Sequence, residues 1–162
     1  LSQGLFGWEV TDLKVTLTDG ESHHVHTHPL DFFVATPMAF LDGLRRAGSQ
    51  LLEPIVKLEL TAPEEYLGKA ISLLVARRGQ LGEQEISERY FRLSALAPAS
   101  ETFDLPAEFA AATNGLGLCG SRFSHYQECP PGVGGSRERL GPDPLDRPRF
   151  ILAARSALTA GD

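Results

Sequence analysis

Apolar and polar residues alternate from Trp8 to Leu17 (WEVTDLKVTL). Leu13, Val15 and Leu17 fall on one side and Asp12, Lys14 and Thr16 on the other, the period-two pattern of a half-buried strand. Asp19-Gly20 reads as the turn after it. From Leu30 to Ala47 the period lengthens to that of a helix. Pro37, Phe40, Leu41 and Leu44 recur on one side, Thr36 and Pro37 make a cap-and-first-turn pair, and Gly48 is the stop. The first 50 residues thus predict a strand, a histidine-rich loop and a helix, too little for a closed sheet and the pattern expected of a domain cut through its middle.

A fuller pattern begins at Glu53. Val56, Leu58 and Leu60 alternate with Lys57 and Glu59 as a strand, and Thr61-Ala62-Pro63-Glu64 reads as a capping box with proline in the first helical turn. Leu67, Ile71, Leu74 and Val75 form the apolar stripe of that helix, and Gly79 stops it after Arg77-Arg78, whose charge suits a helix carboxyl terminus. Residues 80–97 predict two strands around a turn, with Phe91, Leu93 and Ala95 alternating with Arg92 and Ser94. A second helix is expected between Ala99 and Thr113, bent or broken near Pro106 and ended by Asn114-Gly115, and residues 116–127 predict a last strand. The order βαββαβ is that of the ferredoxin-like split βαβ unit, an α+β fold. Pro130 to Ser136 (PPGVGGS) reads as a flexible linker, and Asp146 as the cap of a short helix through Arg149, Phe150, Ile151, Leu152 and Leu158. Three segments follow: 1–52, 53–129 and 130–162.

Composition narrows the classes. Of 162 residues 42% are apolar and 22% charged, and no apolar run nears the ~20 residues of a membrane helix, so disordered, collagen-like and membrane-spanning classes drop out. The net charge of −6 argues against a protein that coats nucleic acid generally, while Arg137, Arg139, Arg147, Arg149 and Arg155 make the tail locally positive. Cys119 and Cys129 allow one bridge at most and are expected as free thiols in a reducing cytoplasm. The chain starts at Leu1 and its single methionine is Met38, so it is expected to be the carboxyl-terminal part of a longer protein.

The most conspicuous chemistry is His23-His24-Val25-His26-Thr27-His28, four of the five histidines in six residues. At period two, His24, His26 and His28 would share one face of an extended strand, an arrangement able to hold Zn²⁺, although no H-E-x-x-H or C-x-x-C supports it. The other reading is a polar loop tip whose imidazoles donate hydrogen bonds to phosphates or stack on bases. Arg77-Arg78 is either a phosphate-binding pair or a helix-end charge. No G-x-x-x-x-G-K-S/T and no G-x-S-x-G occurs, so nucleotide hydrolysis and nucleophilic catalysis lack machinery in this chain.

Five ordered segments resemble the carboxyl-terminal region of elongation factor G and its relatives: Val10 to Gly20, Leu51 to Ile55, Pro63 to Gly68, Arg77-Arg78-Gly79-Gln80 and His125 to Glu128. Within that superfamily, Pro29-Leu30-Asp31-Phe32, Gly7 to Asp12, Thr113-Asn114-Gly115 and the arginine-bearing tail resemble the ribosomal protection proteins of the tetracycline-resistance type. The loop differs from theirs in being rich in histidine, and Gly115-Leu116-Gly117 lacks the arginine that the translocase carries between its glycines. The resemblance implies that 1–52 is the end of domain IV, 53–129 a ferredoxin-like domain V and 130–162 a linker and helical tail. It implies a parent that is a ribosome-dependent GTPase, with GTP and Mg bound in a domain outside this chain, so that this chain is no enzyme and holds no cofactor or metal itself. The partner implied is the ribosome, with no DNA and no membrane, met by a monomeric chain in the cytoplasm. Ser22, His23, His24, Val25 and His26 would reach the decoding region, and Arg77, Arg78, Gly115 and Gly117 the stalk base and sarcin-ricin loop. The translocase is the second reading, and a free-standing His-cluster metal-binding domain the alternative of another class.

Overall fold

The alternating stretch from Glu53 builds the centre of a sheet. In the computed structural model, which describes residues 3–159, Leu52–Pro63 is strand β1, Gln80–Ser87 β2, Tyr90–Pro98 β3 and Leu118–Glu128 β4. The sheet is antiparallel in the order β2-β3-β1-β4, with helices α2 (Leu67–Val75) and α3 (Leu105–Ala112) in the crossovers, numbered after α1 (Pro29–Ala47). This is the ferredoxin-like βαββαβ arrangement expected from the sequence. Its core is continuous: Leu58, Leu60 and Ala62 from β1, Phe91, Leu93, Ala95 and Ala97 from β3, Ala70 and Leu74 from α2, and Leu105 and Phe109 from α3. Glu88 and Arg89 join β2 to β3 with φ of 50° and 73°, the doubly left-handed turn that suits the twist of a two-residue hairpin.

Several local expectations are corrected. Thr61 to Pro63 continue β1 opposite Arg92 to Tyr90, so no capping box forms, and a 3-10 turn at Glu64–Tyr66 leads into α2. Sheet pairing outcompetes the local cap because Leu60 and Ala62 are wholly buried. Val75 is 59% exposed, and Ala70 fills the stripe beside Leu74. The helix expected over 99–113 is two pieces, a 3-10 turn at Ala99–Glu101 and then α3, with Pro106 in its first turn, where a missing N–H costs nothing.

The residues divide into two compact units, Leu51–Val133 and, separately, Leu1–Gln50 with Gly134–Asp162. The stretch read as linker and tail therefore shares a unit with the first 50 residues. Arg137 N–H donates to the Phe6 carbonyl (2.8 Å), Arg139 Nη2 to that of Gly4 (2.7 Å) and the Trp8 indole to that of Gly135 (2.7 Å), while the Arg137 guanidinium lies over the Trp8 ring. Gly7, at φ 76°, lets this strap close, since a Cβ there would collide with the Arg137 carbonyl. Helix α4 (Arg147–Thr159) starts as expected at Asp146, whose Oδ1 accepts from Arg149 N–H (3.4 Å). The side chains of Arg155 and Leu158 lie outside the described residues.

Residues Trp8 to Leu17 are not a strand: no described strand pairs with them, and Val15 and Leu17 are 66% and 90% exposed. An extended segment without a ladder partner gains no strand hydrogen bonds, whatever its pattern. Helix α1 starts at Pro29, not Thr36. Asp31 in its first turn accepts the His28 N–H (2.8 Å), and Pro37 sits in the helix interior at the cost of one backbone hydrogen bond. Gly48 ends α1 as expected, at φ 80° with its N–H on the Leu44 carbonyl.

Candidate functional site

The histidine loop is built by its own backbone. Thr27 N–H donates to the His23 carbonyl (2.8 Å), His26 N–H to the same oxygen (3.1 Å), and His23 N–H to Thr27 Oγ1 (2.8 Å), which closes a tight turn at its base. Period two therefore fails here: His24, His26 and His28 do not line an extended face, because the chain turns between them and His28 caps α1. The turn instead stacks the rings of His23 and His26, centroids 4.9 Å apart and 17° from parallel, with His24 on His23 at 5.7 Å. His23 Nδ1 accepts the Val25 N–H (3.3 Å), which directs the proton of a neutral ring to Nε2. Ser22, His24, Val25 and His26 are exposed, and none contributes to a core. Among the described residues no group of three or more His, Cys, Asp or Glu is placed to hold a metal ion. What the loop offers is a prow of flat imidazole faces and N–H donors.

Arg77 and Arg78 follow α2 in a Schellman stop. Gly79 N–H reaches the Leu74 carbonyl (2.8 Å) and Arg78 N–H that of Val75 (3.2 Å), and the left-handed residue is Arg78, at φ 57°, rather than the glycine. Gly79 is needed for another reason: a Cβ there would press on the Leu74 carbonyl at 2.6 Å. Both guanidiniums are engaged within the unit. Arg77 Nη2 bonds Glu108 (2.5 Å) and Asp104 (3.3 Å) and Nη1 the Leu73 carbonyl (3.1 Å). Arg78 grips Glu53 with two bonds, 3.0 and 2.8 Å, and touches Glu101 at 3.5 Å. Glu53 is 7% exposed, and the hydrogen bonds from Arg78 hold its carboxyl below the usual range against the opposing effect of burial.

The turn after α3 is a second Schellman stop with Asn114 left-handed (φ 54°) and Gly115 at φ 80°, its N–H on the Ala110 carbonyl (2.7 Å). Nothing lies within 4 Å of where a Gly115 Cβ would stand, so this corner is open to a partner. Gly117 is different: a Cβ would lie 2.5 Å from Thr113 Oγ1 and 2.7 Å from the Phe109 ring. Thr113, fully buried, donates to the Phe109 carbonyl (2.7 Å) and accepts the Gly117 N–H (2.9 Å). Sequence reasoning passed over Thr113 and Glu53, whose roles need partners that only the folded chain brings to them.

Residues 1–48 match the family described as elongation factor G, domain IV, and residues 50–134 the one described as elongation factor G C-terminus. A crystal structure of a Thermus thermophilus protein superposes with a TM-score of 0.72 at 32% identity, over 82% of this chain and 20% of that one. The chain thus spans a fifth of that protein's length.

Proposed function

We propose that the chain, which belongs to the elongation factor G family and carries domain IV and carboxyl-terminal parts of an elongation factor G-like translation factor, is the ribosome-engaging module of a GTPase of the ribosomal protection type. In this reading the parent acts in the cytoplasm, GTP and Mg are handled outside this chain, and the loop Ser22 to His26 enters the decoding region. The observation that carries it is the exposed, self-braced stack of His23, His24 and His26, which no core needs and which presents ring faces and N–H donors suited to unstacked RNA bases. The open corner at Gly115 is the contact toward the stalk base and sarcin-ricin loop. Arg77 and Arg78 support that corner indirectly, through the ion pairs that fix α2 against α3 and β1.

Co-sedimentation of the chain with bacterial ribosomes tests the module. Release of labelled tetracycline from ribosomes by the full-length parent tests the protection activity. We expect His23, His24 and His26 replaced together by alanine to abolish release while ribosome-stimulated GTP turnover persists. A parent that drives translocation and leaves tetracycline bound would overturn the protection reading and leave the translocase.

A further inference from the structure

The rings of His23, His24 and His26 are exposed and lie outside the core, so core packing does not fix where they point. Between Ser22 and His28 the one half-buried residue is Thr27. Its Oγ1 accepts the His23 N–H (2.8 Å) and its own N–H donates to the His23 carbonyl (2.8 Å), so both backbone polar groups of His23 end on a single residue. His23 is also the hinge of the stack: its ring faces those of His26 and His24, and its Nδ1 takes the Val25 N–H. On the other side of Thr27, the His28 N–H donates to Asp31 Oδ2 (2.8 Å) and the His28 carbonyl accepts the Asp31 N–H (2.9 Å), which opens α1. Thr27 therefore stands where the ring stack meets the helix that carries it. A threonine hydroxyl bonded to nearby backbone fixes a turn that the main chain alone leaves loose. Side chains ordered in advance lose less rotamer freedom on binding, and a contact held by a supporting shell is made at the right place.

We propose that Thr27 is the positioning residue of the decoding-region contact: its hydroxyl sets the stack of His23, His24 and His26 before binding and acts on RNA only through those rings. The assignment rests on the ribosomal reading above and names the group through which that site is tuned.

Two substitutions test it: Thr27→Val keeps the branched shape and removes the acceptor, and Thr27→Ser keeps the oxygen. In the intact chain, the NMR cross-peak between the His23 and His26 ring protons should vanish in Thr27→Val and persist in Thr27→Ser, with the melting temperature the same in both. In the full-length parent, Thr27→Val should slow the ribosomal step about tenfold while ribosome-stimulated GTP turnover persists, and Thr27→Ser should restore it. That step is read as release of labelled tetracycline or, in a parent that proves a translocase, as translocation. A ring stack that survives in Thr27→Val, a fall in its melting temperature, a wild-type rate in its parent, or a Thr27→Ser parent as slow as Thr27→Val would each overturn the positioning role. The parent with His23, His24 and His26 replaced by alanine tells the two failures apart. If it loses the ribosomal step while Thr27→Val keeps it, Thr27 alone is overturned; if it too keeps the step, the decoding-region contact falls and the role of Thr27 with it.

Discussion

Arg78 puts an ion pair and a backbone strain on one residue, and two substitutions separate them. Its guanidinium gives Glu53 two hydrogen bonds, and the other donor to that carboxylate is the Gln127 amide at 3.2 Å. Arg78→Ala leaves a carboxylate 7% exposed with one neutral donor. Breaking a fully buried pair costs roughly 3–5 kcal/mol and an exposed one roughly 0–1. With the Arg78 side chain 32% exposed, the loss falls between these limits, at about 2 kcal/mol. Arg78→Gly loses the same pair but relieves the left-handed strain at φ 57°, which returns about 1 kcal/mol. The assay is urea unfolding followed on the Leu93 amide resonance, a core reporter of the second unit; in melting, about 2 kcal/mol is roughly 8–16 °C for a unit of this size. Acid supplies an independent check. Because the Glu53 pKa is lowered on folding from 4.5, its contribution is complete above about pH 4.5 and is lost as the pH falls through the folded value. The wild-type and Arg78→Ala curves should therefore converge on acidification. An Ala variant within 0.5 kcal/mol of wild type, or Ala and Gly variants of equal stability, would refute the reasoning.

Gly117→Ala should cost about 1–3 kcal/mol, read by the same titration, because its Cβ must push back Thr113 Oγ1 and the Phe109 ring; a neutral result would mean the corner yields more readily than its packing implies. Alanine at His23, His24 and His26 together should shift stability by less than about 0.5 kcal/mol, since these rings lean on one another outside any core, and a large drop in melting temperature would point to a structural role. Cys119 should react with maleimide more slowly than a free thiol at pH 8, because burial pushes its pKa up and suppresses the thiolate; full-rate labelling in the native state would contradict this.

What the sequence revealed and what it hid divide along physical lines. β1 and β3 were legible because Leu58, Leu60, Phe91 and Leu93 are buried beside exposed Glu59 and Arg92, so burial wrote the alternation into the residues. Trp8 to Leu17 carries the same alternation, yet a ladder is a property of two segments and one cannot announce its partner. In β4 the register shifts between Ile55 and Val56, where Phe123 and His125 oppose consecutive residues of β1 and Ser124 is the extra residue. That bulge brings the Phe123 and Tyr126 rings to 5.2 Å, although strict period two would put them on opposite faces. At the candidate site, the histidine loop stood out by composition, but its stacking came from a turn that composition does not encode. Arg77-Arg78 was equally visible as a charge pair, while its acids lie 23 to 31 residues away and only the fold introduces them.

Because residues from Gly134 onward return to the unit begun by the first 50, the ferredoxin-like unit is an insertion within another unit's sequence. During synthesis the order of completion is then inverted. Residues up to Gln50 emerge before the inserted unit and those from Gly134 after it, so their unit is completed only once the inserted one has been made, at roughly 5–20 residues per second. A chain stopped at Val133 would keep the whole sequence of the inner unit and lose the strap that Arg137 and Arg139 make to Phe6, Trp8 and Gly4.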